Sequence, residues 1–470
     1  MNIYTQKHTF NSDIHTVIGL YQQLRNKHRK PVLLESNDYH SRAESKSIIG
    51  INPLVEMSIN ENNLELISQG KSILKKAVQA KNMTSEISES LAQYTFLQEN
   101  DLNGFISYFS FEFSHYSENK TPEQSSELGL PDALLILYET YIVVDHFHDT
   151  GTILFNSFDG KLKEVSYFES LLTKTPSTPL SFQLVNEEVS LTSEEEFLKN
   201  IEIAKTHLFR GDVFQLVLSR RFKQHFFGDD FQMYRELRRL NPSPYLFYLD
   251  FEDFRLIGSS PESQIQLKNK QASIHPIAGT VKKSGDQKND EIQISNLISD
   301  EKENAEHTML VDLARNDLSK FCSQVKIEKY KEVQHFSHVF HLVSKIIGQT
   351  EAPKLDLFSG TFPAGTLSGT PKPKALELIA QYENHRRDFY GGAIGIIGAN
   401  QSMNLAIIIR SALSKNNTLH YQAGAGLVLD SVPENELKEV DNKLGAVRKA
   451  IGIAAENSTQ LHNKLHLISI

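Results

Sequence analysis

The run Asp300–Leu318, DEKENAEHTMLVDLARNDL, is acidic at one end and apolar at the other. The pattern predicts a helix capped by Ser299, with acids in the first turn where the macrodipole favours them. Glu303 and Glu306 lie three apart and so share a face, which Leu310 and Leu313 continue. Acids that run into an apolar face belong at the rim of a core; a solvated first turn is the alternative for this stretch alone. A second predicted helix, Pro433–Ile453, carries Glu436, Glu439 and Lys443 at i, i+3 and i+7. Paired carboxylates suit a hard, oxygen-loving cation. Mg²⁺ is the natural choice, held by one or two protein carboxylates plus substrate and water.

Other residues with chemical potential are scattered between these helices. Gln215 sits between Val213 and Val217 on one side of the predicted strand Val213–Ser219, where a buried amide needs a partner; an exposed edge strand is the alternative. The turn Gly258–Glu262 places an acid just beyond a strand. His335, His338 and His341 recur at i, i+3 and i+6, which fits neither a helical nor a β-alternating transition-metal site. The turn Gly365–Lys372 lacks the order of a P-loop, so ATP is not implied, although its backbone N–H groups could hold a carboxylate. Arg410 ends the apolar run AIIIR, and a guanidinium at a pocket floor wants a carboxylate. Gln422–Gly426, QAGAG, lacks the third glycine of a dinucleotide fingerprint and reads as a close backbone approach to a ligand or as a bulge.

The chain that must position these groups has 470 residues, 39% hydrophobic, with 58 acids against 49 bases. That balance argues against nucleic-acid binding, and no apolar run approaches membrane length. Cys322 is the one cysteine, which excludes an internal disulfide or a cysteine zinc site and points to a reducing, cytoplasmic setting. A helix is predicted over 13–30, strands over 31–36, 47–51, 54–59 and 64–67, and a helix over 71–80. Apolar runs at 103–112, 133–138 and 141–144 complete a sheet-rich α+β lobe over 1–185. The Thr, Ser and Pro-rich stretch 171–192 reads as a linker. Thr192 and Glu195 form a capping box for an amphipathic helix stopped by Gly211, opening a second unit over 190–470.

Taken together, PIAGT (276–280), the acidic run, VFHLVS (339–344), FPAGTLSGTPK (362–372), YGGAIG (390–395), AIIIRSA (406–412) and QAGAGLVLDSVPENELKEVDNK (422–443) resemble the chorismate-utilising enzymes over roughly 193–455. PVLLES (31–36) and NPSPYLFYLDF (241–251) resemble the anthranilate synthase large-subunit branch. The resemblance implies a two-lobed α+β fold, with large, mainly antiparallel sheets packed as a sandwich and helices outside. It makes Glu306 and Glu439, supported by Glu303 and Glu436, the Mg²⁺ ligands. It makes Tyr390, Arg410, Gly424, Ala425, Gly426 and Lys443, with Ala278, Gly279 and Thr280, the chorismate binders. Glu262 becomes the general acid, His341 the group linked to pyruvate elimination, and Thr366 part of the substrate-lining loop.

Water-using members of that family carry Lys where Gln215 stands, and Gln cannot activate water as a base, so ammonia is the nucleophile. Aminodeoxychorismate synthases typically carry a nucleophilic Lys in place of Ala278. The expected product is anthranilate, with aminodeoxychorismate synthase as the nearest alternative. An isochorismate or salicylate synthase and a non-catalytic homologue are further alternatives. Lacking a glutaminase cysteine motif, the chain should take ammonia from a glutamine amidotransferase subunit, in a heterotetramer of two large and two small subunits. In this branch, Leu34, Glu35, Ser36, Lys46 and the segment Asn241, Pro242, Ser243, Pro244, Tyr245 are expected to bind tryptophan as feedback inhibitor. Ser107 and Ser110 depart from the glycines common in the family's version of 104–113.

Overall fold

In the computed structural model, residues 1–36, 45–98, 102–118, 126–161, 163, 165–172, 180–335 and 339–468 are described. Two strands are longer than the sequence pattern predicts. The stretches 47–51 and 54–59 fuse into Lys46–Asn60, and 133–138 and 141–144 fuse into Ala133–Asp145. Pro53 lies at a register shift in their shared ladder, the kind of position where a missing N–H is tolerated. These two antiparallel strands run through both sheets of the molecule.

One sheet continues from them through Val32–Glu35, Tyr245–Asp250, Arg255–Ser260, Ser411–Lys415 and Thr418–Leu427 to Gln215–Gly228. On its other side Ala133–Asp145 pairs with Thr150–Ser157, and that strand with Asn2–Asn11. The second sheet continues through Gly104–Phe109, Ala393–Gly398, Met403–Ile407, Ser263–Lys268 and Gln271–Ile274 to Val339–Gln349. Ile277–Lys282 and Ser323–His335 complete that end. Each sheet therefore joins a block of strands from 1–185 to a block from 190–470 at one pairing: Leu34 faces Phe247 in the first, and Ile106 faces Ile396 in the second.

Successive strand residues point to opposite faces, and that period sorts the core. Phe247 and Leu249 pack with Tyr108, Ile394 and Leu405 between the sheets. Leu246 and Tyr248 point the other way, under helices Val17–Leu24, Phe231–Leu240 and Pro433–Ile468. This is the expected α+β sandwich with helices outside. No described helix is long and apolar enough to cross a membrane.

Several local expectations are corrected. Residues 71–80 do not open a helix. Lys71–Ala77 is a strand, because Gln69 and Gly70 take positive φ of 48° and 75° and make a two-residue hairpin turn back onto Asn63–Ser68. The acidic helix spans Glu301–Ser319, and its cap is Asp300, which accepts from Glu303 N, not Ser299. Ser299 ends a separate helix, Gln287–Ser299. Ser193 rather than Thr192 caps Glu194–Arg210, accepting from Glu196 N. The helix expected over 13–30 is only Val17–Leu24, and Asn2–Asn11 forms a strand that the pattern does not announce. Within the expected linker, Phe182–Leu184 is a strand with Phe182 buried, whereas 173–179 lie outside the described residues.

Candidate active site

Glu262 sits between the strands Arg255–Ser260 and Ser263–Lys268. Its carbonyl accepts from Ile407 N, which ties it to the segment leading to Arg410. Thr366, in the short helix Gly365–Ser368, donates its hydroxyl to Glu262 Oε1 at 3.0 Å. Burial pushes this carboxyl up to about 7, while Thr366, Arg410 and Lys443 pull it back. A group poised there can hold or release a proton near neutrality. Arg410 adopts a left-handed φ of 49°, an uncommon conformation for a bulky residue. Its guanidinium makes no hydrogen bond or ion pair with any described residue, although it lies close enough to interact with both Glu262 and His341. A buried cation so poorly compensated has the chemistry to accept a carboxylate.

His341 lies on Val339–Gln349 opposite Thr280. Its Nδ1 is 3.1 Å from the Gly279 carbonyl oxygen, so Nδ1 carries the proton and Nε2 is the basic nitrogen. Burial, with Arg410 adding to it, pushes His341 down to about 4. The ring is thus neutral at pH 7. A negatively charged ligand beside it would raise its basicity. Gly279 has φ of 69°, and a Cβ there would meet Leu297 at 2.8 Å and Glu303 Oε2 at 3.3 Å. The first acidic pair is therefore joined to the His341 edge. Ala278 stands in the same ladder, facing Leu342.

A glycine-lined wall closes the opposite side. Gln215 opens Gln215–Gly228 and pairs with Thr370. It is 8% exposed rather than on an open edge, and its Oε1 has no hydrogen-bond partner among the described residues. Its Nε2 lies 2.8 Å from where a Cβ on Gly426 would sit. A Cβ on Gly424 would fall 2.7 Å from the Leu218 carbonyl oxygen and 3.1 Å from Tyr390 Oη. Neither glycine leaves room for a side chain beside the strand Gln215–Gly228, and Ala425 between them is fully buried. Gly424 N–H donates to Tyr390 Oη, and Lys443 Nζ donates to Gly424 O at 2.8 Å while pairing with Glu439 at 2.6 Å.

Glu303 and Glu306 are half-buried, Glu436 is buried and Glu439 is half-buried. No group of three or more His, Cys, Asp or Glu side chains is arranged to hold a metal among the described residues. The donor chemistry nevertheless fits Mg²⁺: all four are oxygen ligands, and this ion needs only one or two protein carboxylates beside substrate and water. Of the three histidines, His335 ends Ser323–His335 with its ring against Phe340, and His338 lies outside the described residues.

The residues expected to bind an inhibitor also assemble. Val32–Glu35 lies between Tyr245–Asp250 and Lys46–Asn60, with Leu246 and Ser47 flanking Glu35. Ser36 N donates to Lys46 O at 2.8 Å. Ser243 is buried, Asn241 reaches Ser259, and Tyr245 Oη meets Asn404 and Gln266. Glu35, however, is already held by both arms of Arg238, at 2.7 Å each, and by the Tyr234 hydroxyl. Leu34 is partly buried against the core between the sheets, and Pro242 and Pro244 frame the turn into Tyr245–Asp250.

The sequence reading passed over Arg387 and Glu383, which lie buried just before Tyr390. The paired arginines in HRRDFYGG were the one available signal.

Comparison with known proteins agrees with this geometry. The family model described as "chorismate binding enzyme" matches residues 7–449, and the chain belongs to that family. Anthranilate synthase component 1 from Aquifex aeolicus (strain VF5) is 33% identical over 469 residues, covering 95% of this chain and 94% of the relative. The namesake from Bacillus subtilis (strain 168) is 33% identical over 483 residues, covering 95% and 92%. The crystal structure of anthranilate synthase component I from Streptococcus pneumoniae TIGR4 superposes with a TM-score of 0.74 at 31% identity, covering 93% of this chain and 98% of that one. The menaquinone-specific isochorismate synthase MenF from Escherichia coli shares the fold, with a TM-score of 0.75 at 19% identity over 96% and 94% of the two chains.

Proposed function

We propose that the chain is the chorismate-converting subunit of an anthranilate synthase. The observation that carries this reading is the pairing of a near-neutral acid, Glu262, with a buried cation, Arg410, that has no hydrogen bond or ion pair among the described residues. Chorismate is a dianion. Arg410 takes one carboxylate, and the Tyr390, Gly424, Gly426 and Lys443 wall takes the other. Ammonia attacks C2, both ring double bonds shift towards C4, the C4–O bond breaks, and the 4-hydroxyl leaves as water with the proton from Glu262. Thr366 holds that carboxyl in line. The Gln215 Oε1 acceptor orients the incoming ammonia through one of its hydrogens. His341 Nε2 then takes the C2 proton as pyruvate departs, leaving the aromatic amine.

Glu306 and Glu439, with Glu303 and Glu436 behind them, would hold Mg²⁺. That ion would supply positive charge to bind and polarise a ring carboxylate among these acids. Ammonia comes from a glutamine amidotransferase subunit, in an assembly of two large and two small chains. Tryptophan binds at the Leu34–Ser36, Lys46 and Asn241–Tyr245 edge and inhibits. A cytoplasmic location accompanies this reading.

The test is to incubate the chain with chorismate, Mg²⁺ and an ammonium salt and identify the aromatic product. 2-Aminobenzoate and pyruvate are expected; 4-aminobenzoate or isochorismate would overturn the assignment. Glutamine should replace ammonium only when the partner subunit is added.

A further inference from the structure

We infer that Arg387 is a positioning residue that aligns the acid-holding loop, the Gln215 strand and Tyr390 with one another. The inference rests on the functional reading above. Arg387 is 1% exposed at its side chain, and each arm of its guanidinium grips a different element. Nε and Nη2 donate to the two Glu383 carboxylate oxygens at 2.8 and 2.6 Å. Nη2 also donates to the Val217 carbonyl at 2.8 Å, two residues along the strand from Gln215. Nη1 donates to the Leu367 carbonyl at 2.6 Å, next to Thr366. The same cation lies 4.6 Å from the Phe111 ring centre and 5.7 Å from that of Tyr390.

The surroundings hold the arginine as firmly as it holds them. Its backbone N–H donates to Glu112 Oε1 at 2.9 Å. Glu383 Oε1 also accepts from the Ser219 N–H and hydroxyl, at 2.8 and 2.7 Å. A small cavity bordered by Phe111, Glu112, Leu376 and Ile379 adjoins Arg387. Burying an ion pair this deeply gives little net stability against a well-packed apolar alternative. What a planar fork adds is geometry: it holds two carbonyls and a carboxylate in fixed directions from one group, which an ammonium on a flexible stem does not reproduce. The carbonyls it fixes belong to the two segments that carry Thr366 and Gln215, groups that the functional reading assigns to the departing 4-hydroxyl and the incoming ammonia.

The experiment compares Arg387→Lys, Arg387→Met and Ser219→Ala with the unsubstituted chain, using chorismate, Mg²⁺ and ammonium. Ser219→Ala loosens Glu383 but leaves both carbonyl bonds of Arg387 in place. Arg387→Lys is expected to fold and to lose about 100-fold in kcat, the scale of a misalignment near 1 Å, with KM for chorismate changed less than about threefold. Ser219→Ala is expected to lower Tm and keep kcat within about twofold. Adding Thr366→Val to Arg387→Lys should cost little more, because both act on one alignment. Equal kcat losses in Arg387→Lys and Ser219→Ala, or full additivity with Thr366→Val, would overturn the role while leaving the functional reading intact. If the unsubstituted chain itself forms no aromatic amine, both fall. Should Arg387→Met fail to fold, Arg387→Lys alone decides.

Discussion

The Arg410 pocket and the Glu35 strand edge both bury charge, and they do so in opposite ways. Glu35 is satisfied within the protein: Arg238 takes both carboxylate oxygens and Tyr234 adds a hydroxyl. Arg410 is left without a hydrogen-bonding partner among the described residues, and Glu262 beside it is kept near its protonation midpoint at neutral pH. A satisfied charge holds architecture in place. An unsatisfied one raises the energy of the empty site and is released from that cost by a ligand of the opposite sign. By this criterion the 31–36 edge is built before any inhibitor arrives, and Glu35 serves it as a structural anchor. On the proposed function, the Arg410 pocket is completed by its substrate.

The comparison breaks if these charges behave alike when removed. Glu262→Gln is expected to have the largest effect, a loss of about 10²–10⁴-fold in kcat with fold and stability kept. In the unsubstituted chain kcat/KM should fall as pH rises through about 7, because the protonated carboxyl is the active form and burial has raised it to that point. The substitution should erase this limb of a pH–rate profile. Arg410→Met should cost about 100-fold in kcat/KM for chorismate. Thermal unfolding of this variant should nevertheless show a folded state more stable by about 1–2 kcal/mol, since a poorly compensated buried charge has gone. Glu35→Gln should do the reverse. Stability should drop by about 2–3 kcal/mol, tempered because Arg238 is 35% exposed at its side chain and can turn to water, while kcat stays within about twofold. A stable but inactive Glu35→Gln would place that residue in the chemistry and dissolve the contrast.

What was legible in the sequence follows the same division. Glu262, Thr366, Tyr390, Arg410 and Lys443 could be marked in advance because each stands in a short segment whose residue types recur together in one family. Their convergence is visible in the hydrogen bonds that join Thr366 to Glu262 and Lys443 to Gly424. Arg387 was not legible. Its partners include two main-chain carbonyls from distant segments, and a carbonyl leaves no mark on residue identity. The sandwich was foreseeable from alternating apolar runs, but the fusion of those runs into two long strands was not, because Pro53 looks like a stop and serves as a bend. Lys71–Ala77 was misread because its lysines suit a helix as well as an exposed edge strand, and only the backbone of Gln69 and Gly70 settles the matter.

The joining of both sheets from strands of the two halves of the chain has a consequence during synthesis. When the first 185 residues have left the ribosome, Val32–Glu35 and Gly104–Phe109 each still lack one neighbour. Tyr245–Asp250 arrives only after some sixty further residues, and Ala393–Gly398 after some two hundred. Until then two apolar sheet edges stand open, ready to pair with another nascent chain. Folding is thereby delayed until nearly the whole polypeptide is present, a slow, non-local closure. The nascent chain is expected to depend on holdase chaperones in proportion to how long the ribosome pauses before residue 398.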